Sequence, residues 1–276
     1  MPPGRPRTPI ADVKAALLIA CSLAIPLFST GATQVPVSVT GFNQDMVVDV
    51  GTLMNPVAIQ GVVTATMDGG TTKRSNTWYQ LGEDKTAPTT GLPMGTTFVS
   101  SADPTTSFSL QLATGMNALM LDSAHANGNL TLTTPGVFSS LSLLGASDSG
   151  PTTVAITLEF TDSSTLSLGN VVVPDWFNNT PTAFAANGRL DVGTATFGNV
   201  NSGNPRLYQF DLTLAGVAIA KQISGIAFTD ISGGSSRAGI FAVSGTFVSI
   251  PEPGTTMLLI TGLLGLAILR RSRFNG

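Results

Sequence analysis

From Val154 to Phe160 the chain reads VAITLEF, and every second residue is large and apolar: Val154, Ile156, Leu158 and Phe160 fall on one side of an extended strand, and Ala155, Thr157 and Glu159 on the other. A helical period of 3.6 would mix the two sets, so this segment is read as a strand with one buried face. The turn Thr161, Asp162, Ser163, Ser164 leads into TLSLGNVVV, Thr165 to Val173, which makes a hairpin of the pair. Similar short runs recur at intervals of about ten residues with Gly, Pro, Asn or Asp between them. They are Thr96–Val99, Ser107–Leu112, Ala118–Leu121, Asn129–Thr133 and Phe138–Leu144 before the hairpin, and Thr194–Phe197, Leu207–Leu214, Ile223–Phe228 and Ile240–Phe247 after it. Val35–Val39 and Gly61–Met67 read the same way, the second closed by a turn at Asp68, Gly69 and Gly70. Roughly a dozen strands joined by short turns predict an all-β, two-sheet β-sandwich of jelly-roll type, without a sustained helical period in its body.

The two ends differ from that body. At the N-terminus Arg5, Arg7 and Lys14 precede an apolar run from Ala15 to Phe28, followed by the small residues Ser29, Thr30, Gly31 and Ala32. A basic start, an apolar middle and a small-residue exit describe a secretory signal peptide, with cleavage expected after Ala32 and residues 1–32 removed by signal peptidase. Leu18, Ile19, Ala20 and Cys21 offer a second reading, a lipoprotein acylation site at Cys21. At the C-terminus the chain reads IPEPGTTMLLITGLLGLAILRRSRFNG from Ile250. Pro251 and Pro253 fix φ and remove two backbone donors around Glu252, which favours an extended, accessible peptide. The uncharged run Thr255–Leu269 makes a helix of roughly 22 Å, a short transmembrane span, and Arg270, Arg271 and Arg273 behind it would stay on the cytoplasmic side.

A Pro-Glu-Pro triplet, a short apolar helix and an arginine-rich end, in that order, resemble the PEP-CTERM sorting signal of Gram-negative bacteria. The resemblance covers residues 250–276 and implies that an exosortase in the inner membrane recognises and removes the tail on the way to the cell surface. It implies a membrane-anchored precursor and a product outside the cytoplasm, with Pro251, Glu252 and Pro253 as the sorting motif and Arg270, Arg271 and Arg273 as the basic anchor.

With both ends set aside, residues 33–249 form one extracytoplasmic body, long enough to bury a core without cross-links. The sole cysteine, Cys21, lies in the signal segment, so the body has no disulfide and no thiolate metal site. Of 13 Lys and Arg, seven fall in the body, and of 16 Asp and Glu, 14 do, which leaves it at about −7. A negative body without a basic block argues against nucleic acid as a partner. Thr, Ser, Gly and Asn are abundant, as befits strands and tight turns.

Chemistry is sparse. His125 is the single histidine and sits in a polar turn without a second histidine or a catalytic serine motif nearby. No phosphate loop, dinucleotide fingerprint or zinc-protease motif is present, so no catalytic residue, metal site or cofactor is assigned. Asp148 to Gly150 and Asp162 to Ser164 cluster oxygen ligands and suit calcium only weakly. Trp78, Tyr79 and Trp176 are the candidate saccharide contacts, since exposed indole and phenol faces stack on sugars; the competing reading places them in the core. The stretch from Asn129 to Val248, with TVAITLEFTDSSTLSL, VPDWF and KQISGIAFTD in that order, is similar to galactose-binding-like jelly-roll modules. The expectation is an exported, non-enzymatic surface or matrix protein with a structural or adhesive role, associated with extracellular polysaccharide. The alternatives are a lectin-like carbohydrate-binding module and a carbohydrate-active enzyme.

Overall fold

A computed structural model of the chain describes residues 33–49, 61, 63–82 and 91–248. Among them it contains 17 strands. Those of the N-terminal part are short: β1 (Val35–Val37), β2 (Val39–Thr40), β3 (Val47–Val48), β4 (Asn76–Tyr79), β5 (Thr97–Val99), β6 (Ser107–Ser109) and β7 (Leu119–Leu121). Long strands follow: β8 (Asn127–Gly136), β9 (Phe138–Asp148), β10 (Thr152–Phe160) and β11 (Thr165–Val173). The chain then passes through β12 (Phe184–Ala185), β13 (Arg189–Asp191) and β14 (Thr196–Gly198) to β15 (Arg206–Leu212), β16 (Ile223–Asp230) and β17 (Arg237–Phe247), with a 3₁₀ turn at Gly216–Ile219.

Two sheets form the sandwich. One runs β11-β10-β16-β8-β2, the other β1-β17-β9-β15-β12 with β7 also on β17, and every pairing in both is antiparallel. The VAITLEF alternation holds along β10, where Val154, Ile156, Leu158 and Phe160 are buried and the residues between them are partly exposed. They meet Leu130 and Leu132 of β8, Ile226 and Phe228 of β16, and Leu141, Leu143, Ile240 and Val243 of the facing sheet. Each such side chain taken from water contributes about 1.5–3 kcal/mol, so this layer supplies a large share of the apolar burial of the fold.

The expected two-sheet sandwich is corrected by a third layer. In β9 every residue from Leu141 to Asp148 is buried, and in β17 every residue from Ala238 to Gly245, so the six-stranded sheet has apolar side chains on both faces and needs a cover on each. The second cover is a four-stranded sheet, β14-β13-β4-β3, together with the hairpin β5-β6 and the loops between them. Met46, Met67, Trp78 and Phe108 from this part pack on Met120, Leu144, Ala146, Tyr208 and Phe241 of the central sheet. A smaller cluster of Val48, Val63, Tyr79, Leu190 and Val192 holds the outer sheet to itself. β3 and β4 pair in parallel, a connection the sequence pattern did not anticipate.

Gly61–Met67 is not a strand over its described residues. Both Thr64 and Ala65 donate their backbone N–H to Asp45 O, and only Thr66 pairs, with Gly70 across the predicted turn. The signal segment with its cleavage point at Ala32, and the tail with Pro251, Glu252, Pro253 and the arginines, lie outside the described residues. Among the described residues no helix is long and apolar enough to cross a membrane.

Candidate functional site

The aromatic residues expected to meet a saccharide are inside the protein. Trp78 is 1 % exposed, Tyr79 1 % and Trp176 2 %. Trp78 lies edge-on to Trp176 with ring centroids 5.4 Å apart and edge-on to Phe241 at 6.0 Å, which fixes the third layer on the central sheet. Tyr79 packs on Phe197 at 4.9 Å and its hydroxyl donates to Asn187 O over 3.3 Å. The expectation of an exposed stacking platform is thereby corrected. Two sheets with apolar faces need large side chains between them, and Trp78 and Trp176 fill that need, while Tyr79 on the opposite side of β4 packs in the small cluster of the outer sheet.

Charged groups beneath the surface are also structural. Asp148, fully buried at the end of β9, accepts from Arg237 Nη1 at 2.7 Å and from the Arg237 backbone N–H at 2.8 Å. Burial pushes its carboxyl up to about 6, against the lowering pull of the Arg237 guanidinium. Arg237 Nη1 also donates to Asp68 O, while Asp68 Oδ2 accepts from Arg189 Nη1 at 3.0 Å and Asn76 Nδ2 at 2.8 Å. Arg189 in turn lies over the Phe177 ring at 4.9 Å and the Trp176 ring at 5.6 Å. This chain of contacts ties the third layer to the central sheet. Asp45 is held by Asn117 Nδ2 at 2.6 Å and the Val47 N–H at 3.4 Å, and desolvation raises its carboxyl to about 7.

The two loops considered for calcium have their carboxylates engaged elsewhere. Asp148 serves Arg237, and Asp162 is gripped by Lys221 Nζ at 2.7 Å and by the Ser164 N–H and hydroxyl, which hold its carboxyl well below the usual range. Among the described residues no three His, Cys, Asp or Glu converge as a metal site would require. His125 closes its own turn, with Nδ1 3.0 Å from Asp122 Oδ1.

What remains accessible and organised is the outer face of the five-stranded sheet. Register sets it out in rows across the strands: Thr131, Gly225, Glu159 and Thr165, then Asn129, Ala227, Thr157 and Ser167, then Asn127, Thr229, Ala155 and Asn170. The two middle strands carry the small residues Gly225, Ala227 and Ala155, and the flanking strands carry the exposed hydroxyls of Thr131, Thr165 and Ser167 and the amides of Asn127, Asn129 and Asn170. The result is a shallow trough with polar sides and a single carboxylate, Glu159, on its floor. Asn129 Nδ2 donates to Glu159 Oε2 at 2.6 Å across Gly225. A β-carbon at 225 would stand 2.6 Å from that oxygen, so a larger residue there would push the Glu159 carboxylate aside. Asn129 Oδ1 is left without a partner, and Thr229 Oγ1 donates to Asn127 Oδ1 at 2.9 Å. At the Glu159 end the trough opens into a hollow of about 310 Å³ lined by Glu159, Phe160, Ser163, Ser164, Thr165 and Ser224.

Nothing in single-letter code singled out this face, although half of it was visible as the polar set Ala155, Thr157 and Glu159 of the VAITLEF strand. Its neighbours on β8 and β16 are set beside it only by strand pairing. The chemistry it offers is hydrogen bonding to hydroxyl-rich ligands, by donors and acceptors that are mostly uncharged.

Comparison with known proteins found no matching family model and no matching curated protein. Among solved structures, similarity was found to family 29 carbohydrate-binding modules. One covers 50 % of this chain and 72 % of its own, at 12 % identity and a TM-score of 0.27. A variant complexed with cellulohexaose covers 50 % and 74 % at 13 % identity and a TM-score of 0.27. Another, complexed with mannohexaose, covers 56 % and 84 % at 13 % identity and a TM-score of 0.27. At such scores the likeness assigns no residue of this chain a role.

Proposed function

We propose that this protein is an exported, non-enzymatic β-sandwich of the cell surface or extracellular matrix, released from its membrane-anchored precursor by an exosortase, and that it holds polysaccharide along the outer face of its five-stranded sheet. The observation that carries the binding part is the trough itself: small residues along its middle, hydroxyls and amides on its sides, and almost no charge. Sugar hydroxyls exchange bonds with water for bonds with such groups at little net gain, about 0.5–1.5 kcal/mol each. Without an aromatic platform, affinity rests on many contacts along an extended glycan and on several protein copies acting on one polymer. That suits an adhesive or matrix role better than the capture of a free sugar. The export part rests on the signal-like N-terminus and the Pro-Glu-Pro tail.

Affinity electrophoresis of the purified protein through gels containing neutral β-glucans, mannans or the host's own exopolysaccharide tests the reading. At least one polymer is expected to retard the protein, and Ala227→Glu, which sets a carboxylate in the middle of the trough, is expected to abolish the retardation with folding intact. Retardation that survives this change, or none by any polymer, refutes the site. Release of reducing ends from the retarding polymer would overturn the non-enzymatic reading. For sorting, Glu252→Ala is expected to leave the precursor uncleaved by mass spectrometry, and normal maturation of that variant would remove exosortase processing from the proposal.

A further inference from the structure

The outermost strands of the four sheets are two or three residues long in every case but one, among the described residues. Short edges are how proteins deny their sheets to passing chains. The exception is β11, nine residues from Thr165 to Val173 without a single charge or proline. Beyond its ladder with β10, the bonds of its backbone among the described residues are that of the Gly169 N–H to Ser167 Oγ and that of the Ser147 hydroxyl to Val173 O. The rest of that edge faces solvent, and Val172 is 58 % exposed.

A bulge divides the edge. The register shifts opposite Ile156 and Thr157, where Leu168 is the extra residue and Gly169 takes φ +88°. A long foreign strand therefore cannot lie flat along all of β11, and the straight part is Asn170 to Val173. The same kink has a second effect. Leu166, Leu168 and Val171 of β11 sit against the sandwich core only half-buried, as do Phe210 of β15 and Leu214 just beyond its end, so the seam between the two layers is open on this side. β11 and β15 meet across that seam.

The geometry points to a second copy of this chain as the partner of β11, with Asn170–Val172 paired antiparallel to the same stretch about a two-fold axis near Val171. Such pairing is isologous and closes on itself, so one interface satisfies both edges. It brings two open seams together, and each supplies the leucines and phenylalanine that the other needs to finish its cover. An uncharged edge gives nothing for a charged peptide to recognise and nothing that repels its own copy. The resulting dimer has one continuous sheet of ten strands and a trough twice as wide, although the inference does not depend on glycan binding.

The test uses the full-length chain in mild detergent. Chains carrying Asn170→Cys mixed with chains carrying Val172→Cys, the two positions that a two-fold at Val171 sets opposite each other, are expected to form an intermolecular disulfide on mild oxidation well above the level given by the parent, whose only thiol is Cys21. Val99→Cys, equally exposed at 56 % but on β5, is expected to stay at the parent level. In sedimentation, Val172→Lys is expected to weaken dimerisation at least tenfold and Val99→Lys to leave it unchanged. A parent that is monomeric at all concentrations, equal cross-linking by the mixed pair and by Val99→Cys, or a dimer indifferent to Val172→Lys would overturn the proposal. In the last case association through the hydrophobic ends is the explanation.

Discussion

The five-stranded sheet and the third layer cover opposite sides of the same central sheet and are held to it in different ways. The five-stranded sheet is built of strands of up to ten residues whose backbone groups bond one another, and its side chains have only to fill space. The third layer has strands of two to four residues, and side chains do much of the bonding that a ladder would otherwise do. Asn43 Oδ1 takes the Met120 N–H at 2.8 Å while its Nδ2 donates to Met120 O at 2.9 Å, in imitation of a strand partner. Asn117 Oδ1 takes the Met46 N–H at 2.9 Å, and Thr77 Oγ1 donates to Met46 O. A region assembled this way depends on a few irreplaceable polar residues, whereas a region built on ladders spreads its stability over many interchangeable apolar ones.

The largest expected effect sharpens this contrast. Trp78→Ala removes a ring that touches both Trp176 and Phe241, and should destabilise the protein by about 3–5 kcal/mol in urea denaturation, at or above the cost of about 2–5 kcal/mol for Ile156→Ala in the other layer. The two tryptophans both lie between the third layer and the central sheet, so their fluorescence reports that contact while circular dichroism reports all strands. The two signals are expected to change together, because the charged chain from Asp148 through Arg237 and Asp68 to Arg189 links the layers. An earlier fluorescence transition would mean that the third layer opens by itself, and would break the picture of one cooperative body.

Asn117→Ala ranks next. It deprives the buried Met46 N–H and the Asp45 carboxyl of their partner, and should cost about 1–3 kcal/mol by the same measurement. A polar-to-Ala change on the outer face of the other layer, such as Thr157→Ala, should stay within about 0.5 kcal/mol.

The dependence on pH follows from Asp45. Desolvation raises its carboxyl from the ordinary 3.8 to about 7, opposed by the bond from Asn117. The folded chain thus keeps a proton that the unfolded chain gives up, and stability declines as pH rises from 3.8 towards 7. Asp148, raised to about 6, pulls in the same direction. Asp45→Asn should flatten part of that decline and gain stability relative to the parent at neutral pH, measured as urea midpoints across the range. An unaltered slope would show that the Asp45 charge is tolerated in place.

The smallest effect expected is that of Val172→Lys on stability, within about 0.5 kcal/mol, since the residue is exposed. A loss of several kcal/mol would show that β11 belongs to the interior as fully as β10 does.

How legible each layer was in the sequence follows from the same difference. β10 and β11 are read with bounds within two residues, because a strand with one wet face writes its geometry as alternation. β9 and β17 were read too short at one end, since a strand buried on both faces loses that alternation and small residues such as Gly145 and Ala146 carry no signal of burial. β4, β12 and β13 escaped notice, being too short to show any period. The outer trough was half legible, as the polar set of one strand, and the hydrogen bond between Asn129 and Glu159, 30 residues apart, was not.

The sequence by itself determined that the body is made of β-strands, which side of β10 is buried, and that the two ends differ in kind from what they enclose. These properties are local, set by neighbours two residues apart and by the conformational limits of proline and glycine. Only the tertiary structure decided that there are three layers, that Trp78, Tyr79 and Trp176 face inward, and that one uncharged edge is left open. Those outcomes depend on which strands pair and which faces meet, and no residue carries that information alone, because an aromatic ring gains as much free energy against a second sheet as it would against a ligand.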